Sequence, residues 1–333
     1  MSSIRPAADP PELARGVRAG VRAQLSRAIT LVESTRQVDR VAARELLADL
    51  PQSQSSVRLG ISGVPGVGKS TFIESLGMLL IERGHRVGVL AVDPSSRRTG
   101  GSVLGDKTRM PQLAASDLAF IRPSPSAGTL GGVARATAQT IPLLEAAGFD
   151  VVLVETVGVG QSETTVAGMV DTFLLLGLAR SGDQLQGIKK GVLELAEVVA
   201  INKADGEFAE QAKAAARELT GALHLVHGRG ADWLPPVLTC SGLTGTGVDM
   251  VWQSVLDHRA HLGAAGIAGR RAAQQVELAW ALVHDELTQR LRRSQPVRAV
   301  RGEVESAIRA GDLSAAAAAD QLLAAFDSSL PRS

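Results

Sequence analysis

Gly63-Val-Pro-Gly-Val-Gly-Lys-Ser-Thr71 is the stretch that decides the fold of this chain. It fits the pattern G-x-x-x-x-G-K-S/T, which is typical of a loop that wraps nucleotide phosphates between a strand and a helix. The glycines let backbone N–H groups approach the phosphates, and the helix that follows adds its dipole. We expect Lys69 to bridge the β- and γ-phosphates and Ser70 to offer its hydroxyl to Mg²⁺. The residues expected to hold the phosphates are Gly63, Val64, Pro65, Gly66, Val67, Gly68, Lys69, Ser70 and Thr71.

A second motif, Asn202-Lys-Ala-Asp205, predicts which base is bound. Asp205 can accept both N–H donors on the Watson–Crick edge of guanine, whereas adenine presents an acceptor that would repel the carboxylate. Lys203 can lay its stem along the face of the base. A backbone N–H of a later segment is expected to meet the guanine oxygen, and that segment comprises Ser241, Gly242 and Leu243. GTP and GDP are therefore the expected substrate and product, and the alternative is that Asn202 and Asp205 are ordinary turn residues.

Short apolar runs alternate with helix-length segments from Val57 onward. The runs lie at 57–62, 86–93, 118–122, 151–156, 172–177, 197–202 and 237–240, and helices are expected at 69–83, 131–147, 207–220 and 247–262. Strands that alternate with helices indicate a mostly parallel sheet covered on both faces. The nucleotide motifs directly follow these strands, which is where ligands bind in open α/β sheets. We therefore predict the α/β fold of a P-loop GTPase rather than an incidental strand–helix turn.

Acidic residues at the ends of two more strands extend the predicted magnesium site. Asp93 can bind Mg²⁺ through a water or orient the attacking water, although it could instead cap a helix before Pro94. Glu155 is expected at an outer position around Mg²⁺, and Gly158 can present its N–H to the γ-phosphate. The polar segment 95–110 suits a switch that the γ-phosphate orders.

The residue that positions the attacking water stays open. Ras-type GTPases place a Gln directly after the glycine that corresponds to Gly158, but Val159 stands there in this chain and Gln161 lies two residues further. Asp93, Asp106 and Gln161 are the alternatives.

Composition restricts the other classes of function. The chain has 333 residues, of which 45% are hydrophobic and 21% charged, which is typical of a globular protein with a sizeable core. A net charge of +1 and an aromatic content of 3% disfavour nucleic-acid binding. No apolar signal core or run of about 18 apolar residues occurs, so we expect a cytoplasmic protein without membrane contact. Cys240 is the only cysteine, and His224 and His227 lack the further ligands of a metal site.

Helical segments flank the alternating region. Residues 11–50 show apolar positions at helical spacing, with Arg15, Arg18 and Arg22 on another face that faces either solvent or an acidic partner. After about Leu262, helices are expected at 270–293, up to Ala310 and from the cap Ser314 to Phe326. Val276, Trp280, Val283 and Leu287 form an apolar seam in the first of them. We predict an N-terminal extension over 1–52, a GTPase domain over 53–262 and a helical dimerisation region over 263–333.

With these motifs the chain resembles the MeaB/ArgK/MMAA family, the GTPase chaperones of methylmalonyl-CoA mutase in the dimeric SIMIBI class. Long strings outside the phosphate loop carry this resemblance. They are Val-Asp-Pro-Ser-Ser at 92–96, Gly-Gly-Ser-Val-Leu-Gly-Asp-Lys-Thr-Arg-Met at 100–110, Glu-Thr-Val-Gly-Val-Gly-Gln-Ser-Glu at 155–163 and Gly-Asp-Gln-Leu-Gln-Gly-Ile-Lys-Lys at 182–190.

The resemblance implies a ligand set and a partner. It places Ser70, Asp93, Asp106 and Glu155 around Mg²⁺, and it makes 177–190 a third switch in which Lys189 reaches the nucleotide or the partner. It also implies a homodimer through the C-terminal helices. The implied client is methylmalonyl-CoA mutase, an adenosylcobalamin enzyme whose cofactor loading the family gates and whose activity it protects or restores.

Three other functions agree less well with the sequence. A nickel-type metallochaperone GTPase would carry Cys/His motifs that are missing here. A kinase or ATPase that serves transport conflicts with Asp205, and a scaffold that binds GTP without hydrolysis conflicts with the full set of expected magnesium ligands.

Overall fold

The computed structural model describes residues 9–51, 53, 55–92, 109–123, 130–156, 162–179, 190–228 and 230–328. The chain divides into two compact units, residues 1–275 and residues 276–333. No helix within the described ranges is long and apolar enough to span a bilayer.

A parallel sheet of seven strands forms the centre of the first unit. The strands are β1 (Val57–Gly63), β2 (Val87–Val92), β3 (Ala119–Pro123), β4 (Val151–Thr156), β5 (Thr172–Leu178), β6 (Val198–Asn202) and β7 (Val237–Thr239). Their order is β3-β2-β4-β1-β5-β6-β7, and all pairs are parallel. β1 pairs Leu59 with Leu153 of β4 on one side and with Thr172 of β5 on the other. The predicted strands are confirmed to within one or two residues at each end.

Helices cover both faces of the sheet, as the alternating pattern predicts. Those of the first unit, in chain order, are α1 (Pro10–Arg18), α2 (Arg22–Glu33), α3 (Gln37–Ala48), α4 (Lys69–Glu82), α5 (Pro111–Ala115), α6 (Leu130–Ala146), α7 (Ser162–Ala167), α8 (Lys190–Leu195), α9 (Ala209–His227) and the first part of α10 (Val248–Arg293). Phe173 of β5 packs with α1–α3, α6 and α7, whereas its neighbour Leu174 packs with α4, α5 and α10. Neighbouring side chains of a strand point to opposite faces of the sheet. Since Phe173 and Leu174 are both buried against helices, both faces of the sheet are apolar.

The helical N-terminal region expected over 11–50 consists of the three helices α1, α2 and α3. Gly20 has φ +69° between α1 and α2, where a side chain would be strained. Between α2 and α3, the Ser34 hydroxyl donates to Asp39 (2.6 Å) and accepts from the Arg36 N–H (3.2 Å), which closes a local turn. Arg18 and Arg22 are exposed but donate to the carbonyl oxygens of Asp49 (2.9 Å) and Asp117 (3.1 Å).

The C-terminal helices follow the prediction except at one junction. The two expected helices at 247–262 and 270–293 form one run, α10, which breaks its helical backbone only at Gly263 (φ +62°). In the second unit α10 is followed by α11 (Gln295–Ala310) and α12 (Ala315–Asp327). Gly311 ends α11 with φ +84°, and the Ser314 hydroxyl caps α12 by accepting from Ala317 N–H.

A buried ion cluster ties α10 to the amino-terminal edge of the sheet. Asp171, directly before β5, accepts from the guanidinium of Arg271 at 2.7 and 2.8 Å and also pairs with Arg259. Arg271 donates in addition to the carbonyl oxygens of Ser53 (2.6 Å) and Ser56 (2.7 Å), so both residues are attached to α10. Burial acts to raise the pKa of Asp171, but the hydrogen bond and charge of Arg271 outweigh it and leave that pKa lowered.

Candidate functional site

The phosphate loop lies at the carboxyl edge of the sheet between β1 and α4. Gly63 ends β1, and Gly68 caps α4 with φ +93°, a conformation that a side chain would strain. A Cβ on Gly68 would lie 2.8 Å from Asn202 Nδ2, and one on Gly63 would lie 2.5 Å from Leu176 O. Both glycines are therefore needed because the backbone passes close to its neighbours.

Lys69 and Ser70, the first two residues of α4, point into this loop and toward β4. Lys69 is 8% exposed, and its ammonium donates to Gly63 O at 2.8 Å and to Val64 O at 3.4 Å. The Ser70 hydroxyl donates to Glu155 Oε1 at 3.3 Å. The structure thus brings Lys69, Ser70 and Glu155 to the same end of the phosphate loop, and their chemical roles are proposals.

Burial and charged groups from three segments act on the pKa of Lys69. Burial lowers the pKa of Lys69, and the carboxylates of Glu155 and Glu163 act against that effect. Arg109 adds to the lowering, because a second cation near Lys69 disfavours the protonated form. Glu163 is 5% exposed and is a residue to which the sequence analysis gave no role.

Asn202, at the end of β6, joins the phosphate loop to the segment that follows β7. Its Nδ2 donates to Val67 O at 2.8 Å, and its Oδ1 accepts from Gly242 N–H at 2.9 Å. Cys240 Sγ lies 3.7 Å from the same Oδ1, and burial raises the pKa of this thiol to about 12. Asn202 therefore joins the two loops through hydrogen bonds from both ends of its side-chain amide.

Lys203 and Asp205 are held by the same two loops. Lys203 has φ +60° and donates from Nζ to Gly66 O at 2.8 Å. Asp205 Oδ1 accepts from the Ser241 hydroxyl at 2.6 Å, and that hydroxyl also accepts from Thr244 N–H at 3.2 Å. The hydrogen bond from Ser241 orients the Asp205 carboxylate.

A cavity of about 300 Å³ opens beside these groups. Its lining residues are Gly68, Thr71, Leu178, Ala179, Asn202, Lys203, Asp205, Phe208 and Leu243. Sequence reasoning missed Leu178, Ala179 and Phe208, which give the cavity apolar walls. One signal in the sequence could have indicated Phe208 as a wall of this cavity. It is one of only six phenylalanines in the chain and follows Asp205 by three residues. A polar edge between apolar walls suits a flat heteroaromatic base.

Several predicted site residues cannot be placed. Asp93, Asp106, Gly158, Gln161 and Lys189 lie outside the described residues. His224 is exposed on α9, and no cluster of three or more potential metal ligands occurs in the described part of the chain.

Comparison with known families decides the assignment. Residues 25–296 match the family model described as "Methylmalonyl Co-A mutase-associated GTPase MeaB". The chain belongs to the MeaB family. It is accordingly a GTPase that binds GTP and GDP, in agreement with the phosphate loop and the Asp205 cavity.

Relatives of this MeaB-family GTPase come from bacteria and animals. The chain is 61% identical to a probable GTPase of Mycobacterium tuberculosis over 313 residues, which cover 93% of each chain. It is 44% identical to the mouse protein named methylmalonic aciduria type A homolog, mitochondrial, over 94% of this chain and 78% of the mouse protein. Among solved structures it resembles an LAO/AO transport system kinase with a TM-score of 0.72 and 38% identity, over 98% of this chain and 100% of the other.

Proposed function

We propose that this GTPase is a chaperone of adenosylcobalamin-dependent methylmalonyl-CoA mutase that gates cofactor loading and protects or reactivates the mutase. The observation that carries the proposal is the match of residues 25–296 to a family described as mutase-associated. The mouse relative, whose name refers to methylmalonic aciduria, supports the same direction. The location in the cytoplasm stays a prediction.

The proposed division of labour within the site begins with the base. Asp205, oriented by Ser241, accepts the two N–H donors of guanine, and Lys203 covers one face. Because Gly242 N–H is already bonded to Asn202, Leu243 N–H is our choice as donor to the guanine oxygen. Phe208 and Leu178 contribute the apolar wall of the cavity.

At the phosphate end of the site, recognition depends on charge and on N–H donors rather than on the shape of a cavity. The backbone from Gly63 to Gly68 and the start of α4 offer N–H donors, and Lys69 supplies a cation at the β- and γ-phosphates. In hydrolysis, water attacks the γ-phosphorus while the bond to the β–γ bridging oxygen breaks, giving GDP and phosphate. Lys69 stabilises the charge that grows on the transferring and leaving oxygens.

The oxygen donors at this end fit Mg²⁺. The Ser70 hydroxyl and the Glu155 carboxylate lie 3.3 Å apart, and hydroxyl and carboxylate oxygens are the ligands that Mg²⁺ prefers. Mg²⁺ would neutralise charge on the β- and γ-phosphates. Ser70 would hold it directly and Glu155 from an outer position, with Asp93 and Asp106 as proposed further ligands.

Communication with the mutase requires that GTP and GDP favour different states of the protein. A ligand shifts such an equilibrium only by its differential affinity for the two states. GTP and GDP differ by one phosphoryl group, so the protein groups beside the γ-phosphate must supply the difference in affinity between the two states. We propose that 95–110 and 155–163 sense it and that 177–190 relays it to the mutase.

The test is GTP hydrolysis with and without methylmalonyl-CoA mutase. No Gln directly follows Gly158, so we expect slow basal turnover that the mutase accelerates by fixing the switches. Gln186→Ala should reduce the stimulated rate and leave the basal rate near wild type. The matched control is Lys213→Ala, a substitution of an exposed lysine paired with Glu210 on α9. If the mutase neither binds this protein nor changes its hydrolysis rate in any nucleotide state, the proposed chaperone role is wrong and only the GTPase activity remains.

A transport-associated kinase is the second candidate, because the solved relative is described in those words. The same assay separates the two, since a kinase moves the γ-phosphoryl group to an acceptor protein and not to water. Release of one phosphate per GTP without a labelled acceptor favours the hydrolase.

A further inference from the structure

The segment that follows β7 rests directly on the first turn of α4. Gly242 is buried there, and a Cβ built on it would lie 2.8 Å from both N and Cα of Phe72 and 3.2 Å from C of Thr71. All three are backbone atoms of a helix, so they cannot move away as the end of a flexible side chain can. Gly242 N–H also donates to Asn202 Oδ1 at 2.9 Å, which holds the segment in this place. Only a residue without a side chain lets the two backbones approach this closely.

The base loop, residues 241–246, is closed by its own hydrogen bonds. Ser241 N–H donates to Thr246 O at 2.9 Å, and Gly245 N–H donates to Ser241 O at 2.9 Å. These two bonds cross the loop, so a displacement at Gly242 carries Ser241 with it.

The contact between the base loop and α4 lies between the two ends of the proposed nucleotide site. On the side of the base loop, the Ser241 hydroxyl orients the Asp205 carboxylate through a hydrogen bond of 2.6 Å. On the other side, the same turn of α4 begins with Lys69 and Ser70 at the phosphate loop. The seat of the base loop on α4 therefore sets where the groups that read the base stand relative to those that hold the phosphates.

We propose that Gly242 is a positioning residue for guanine specificity, because its missing side chain lets the base loop sit on α4 and orient Asp205 toward the guanine edge. The inference rests on the proposed guanine site. An added Cβ pushes the base loop off α4 and misaligns the hydrogen bond from Ser241 to Asp205. The Lys69 ammonium keeps its bond to Gly63 O, which lies outside the base loop. Gly242 therefore acts on recognition of the base rather than on binding of the phosphates.

The experiment compares the affinities of GDP and ADP in the full-length protein. Gly242→Ala should weaken GDP binding about 10- to 100-fold, because hydrogen bonds to a charged acceptor lose strength steeply when they are misaligned. ADP makes none of the guanine-specific contacts, so its dissociation constant should change by less than about three-fold. The matched control is Gly221→Ala on α9, where an added Cβ meets no atom within 4 Å, and it should bind both nucleotides like wild type.

A double-mutant cycle tests whether Gly242 acts through Asp205. In an Asp205→Ala background, Gly242→Ala should weaken GDP binding by less than about three-fold, because both changes remove the same interaction. A loss as large as in the wild-type background would overturn the inference, and so would equal losses for GDP and ADP in Gly242→Ala, since a merely structural role predicts these results. A Gly242→Ala protein that binds GDP as tightly as Gly221→Ala would overturn it as well.

Two further measurements separate failure of this inference from failure of the proposed guanine site. If Asp205→Ala alone keeps the wild-type preference for GDP over ADP, the guanine site itself is wrong. If Gly242→Ala is too unstable for titration, thermal midpoints in GDP and in ADP measure the same selectivity, since a ligand that binds only the folded protein stabilises it by mass action. A rise of the midpoint with GDP as large as in wild type would then overturn the inference.

Discussion

Lys69 is the residue on which the phosphate end of the site depends. Its ammonium lies 2.8 Å from Gly63 O, and burial lowers its pKa, so a triphosphate would supply the negative charge that its surroundings only partly provide. We expect Lys69→Ala to lose about 100- to 1,000-fold in hydrolysis rate, since one preorganised donor to a developing oxyanion is worth that much. The assay is phosphate release under single-turnover conditions. Wild-type turnover in a Lys69→Ala protein of proven purity would refute the assignment.

His258 makes stability depend on pH. It is 2% exposed, shares a hydrogen bond with the Thr172 hydroxyl at 2.9 Å and packs against Trp233, and burial lowers its pKa from 6.5 to about 4. Between these values the unfolded chain binds a proton that the folded protein does not, so stability falls as pH drops from about 6.5 to about 4. The loss should reach up to about 3 kcal/mol in the free energy of unfolding.

Urea unfolding at pH 7 and pH 4.5 measures this effect. Burial raises the pKa of Glu197, which acts in the opposite direction, so the comparison must be between wild type and His258→Gln. In His258→Gln the free energy of unfolding should depend less on pH than in wild type. In the control His224→Gln, which changes an exposed histidine, that dependence should match wild type. An identical dependence in all three proteins would contradict the prediction.

At this scale the sequence predicts contacts that follow a motif and misses those that need the fold. The chemical roles of Lys69, Ser70 and Asp205 can be predicted from the sequence, because these residue types at this spacing are typical of a nucleotide site and of little else. Phe208 belongs to no comparable pattern, and it lines the cavity only because a short 3₁₀ helix, Gly206–Phe208, follows β6.

The element whose attachment matters most is α10. Arg271 places its fork on Asp171, and the two side chains are 9% and 0% exposed. Arg271→Ala leaves that carboxylate buried without its main partner, so we expect a loss of about 3–5 kcal/mol in the free energy of unfolding. Asp171→Asn in the same protein should recover part of the loss, since it removes the uncompensated charge.

Denaturant unfolding followed by circular dichroism measures both changes. The matched control is Arg290→Ala, which removes an exposed arginine paired with the partly buried Glu286 on the same helix and should cost less than about 0.5 kcal/mol. Equal losses for Arg271→Ala and Arg290→Ala would mean that the cluster contributes no more than a surface pair.

The periodicity of the sequence predicts the strands and helices better than the positions where one helix ends and the next begins. The strands are predicted because runs such as 151–154 are continuously apolar, which is typical of a parallel strand buried on both faces. The break at Gly20 and the continuous path around Gly263 depend on how the neighbouring helices pack, and single-residue signals do not determine that.

For the molecule as a whole we predict a homodimer through the C-terminal helices. The seam in α10 leaves Val276, Trp280, Val283 and Leu287 between 44% and 62% exposed, an apolar stripe that a second copy would cover. Wild type should therefore be a dimer by light scattering, and Trp280→Glu should be a monomer because it places a charge in that stripe. The control Leu225→Glu changes an isolated residue on α9 that is 87% exposed. A monomeric wild type, or a Trp280→Glu protein that remains dimeric, would rule out this interface.

The central claim is that segments more than a hundred residues apart in the chain build one guanine-nucleotide site. The most direct measurement is the specificity of hydrolysis for GTP, ATP and XTP in wild type and in Asp205→Asn, with Asp249→Asn as an exposed control. Wild type should prefer GTP over ATP by at least about 100-fold in kcat/KM, because the Asp205 carboxylate is left unpaired by adenine. Asp205→Asn should shift the preference to XTP, since the asparagine amide donates to the extra carbonyl of xanthine. Equal use of GTP and ATP by wild type, or an unchanged preference in Asp205→Asn, would contradict the account.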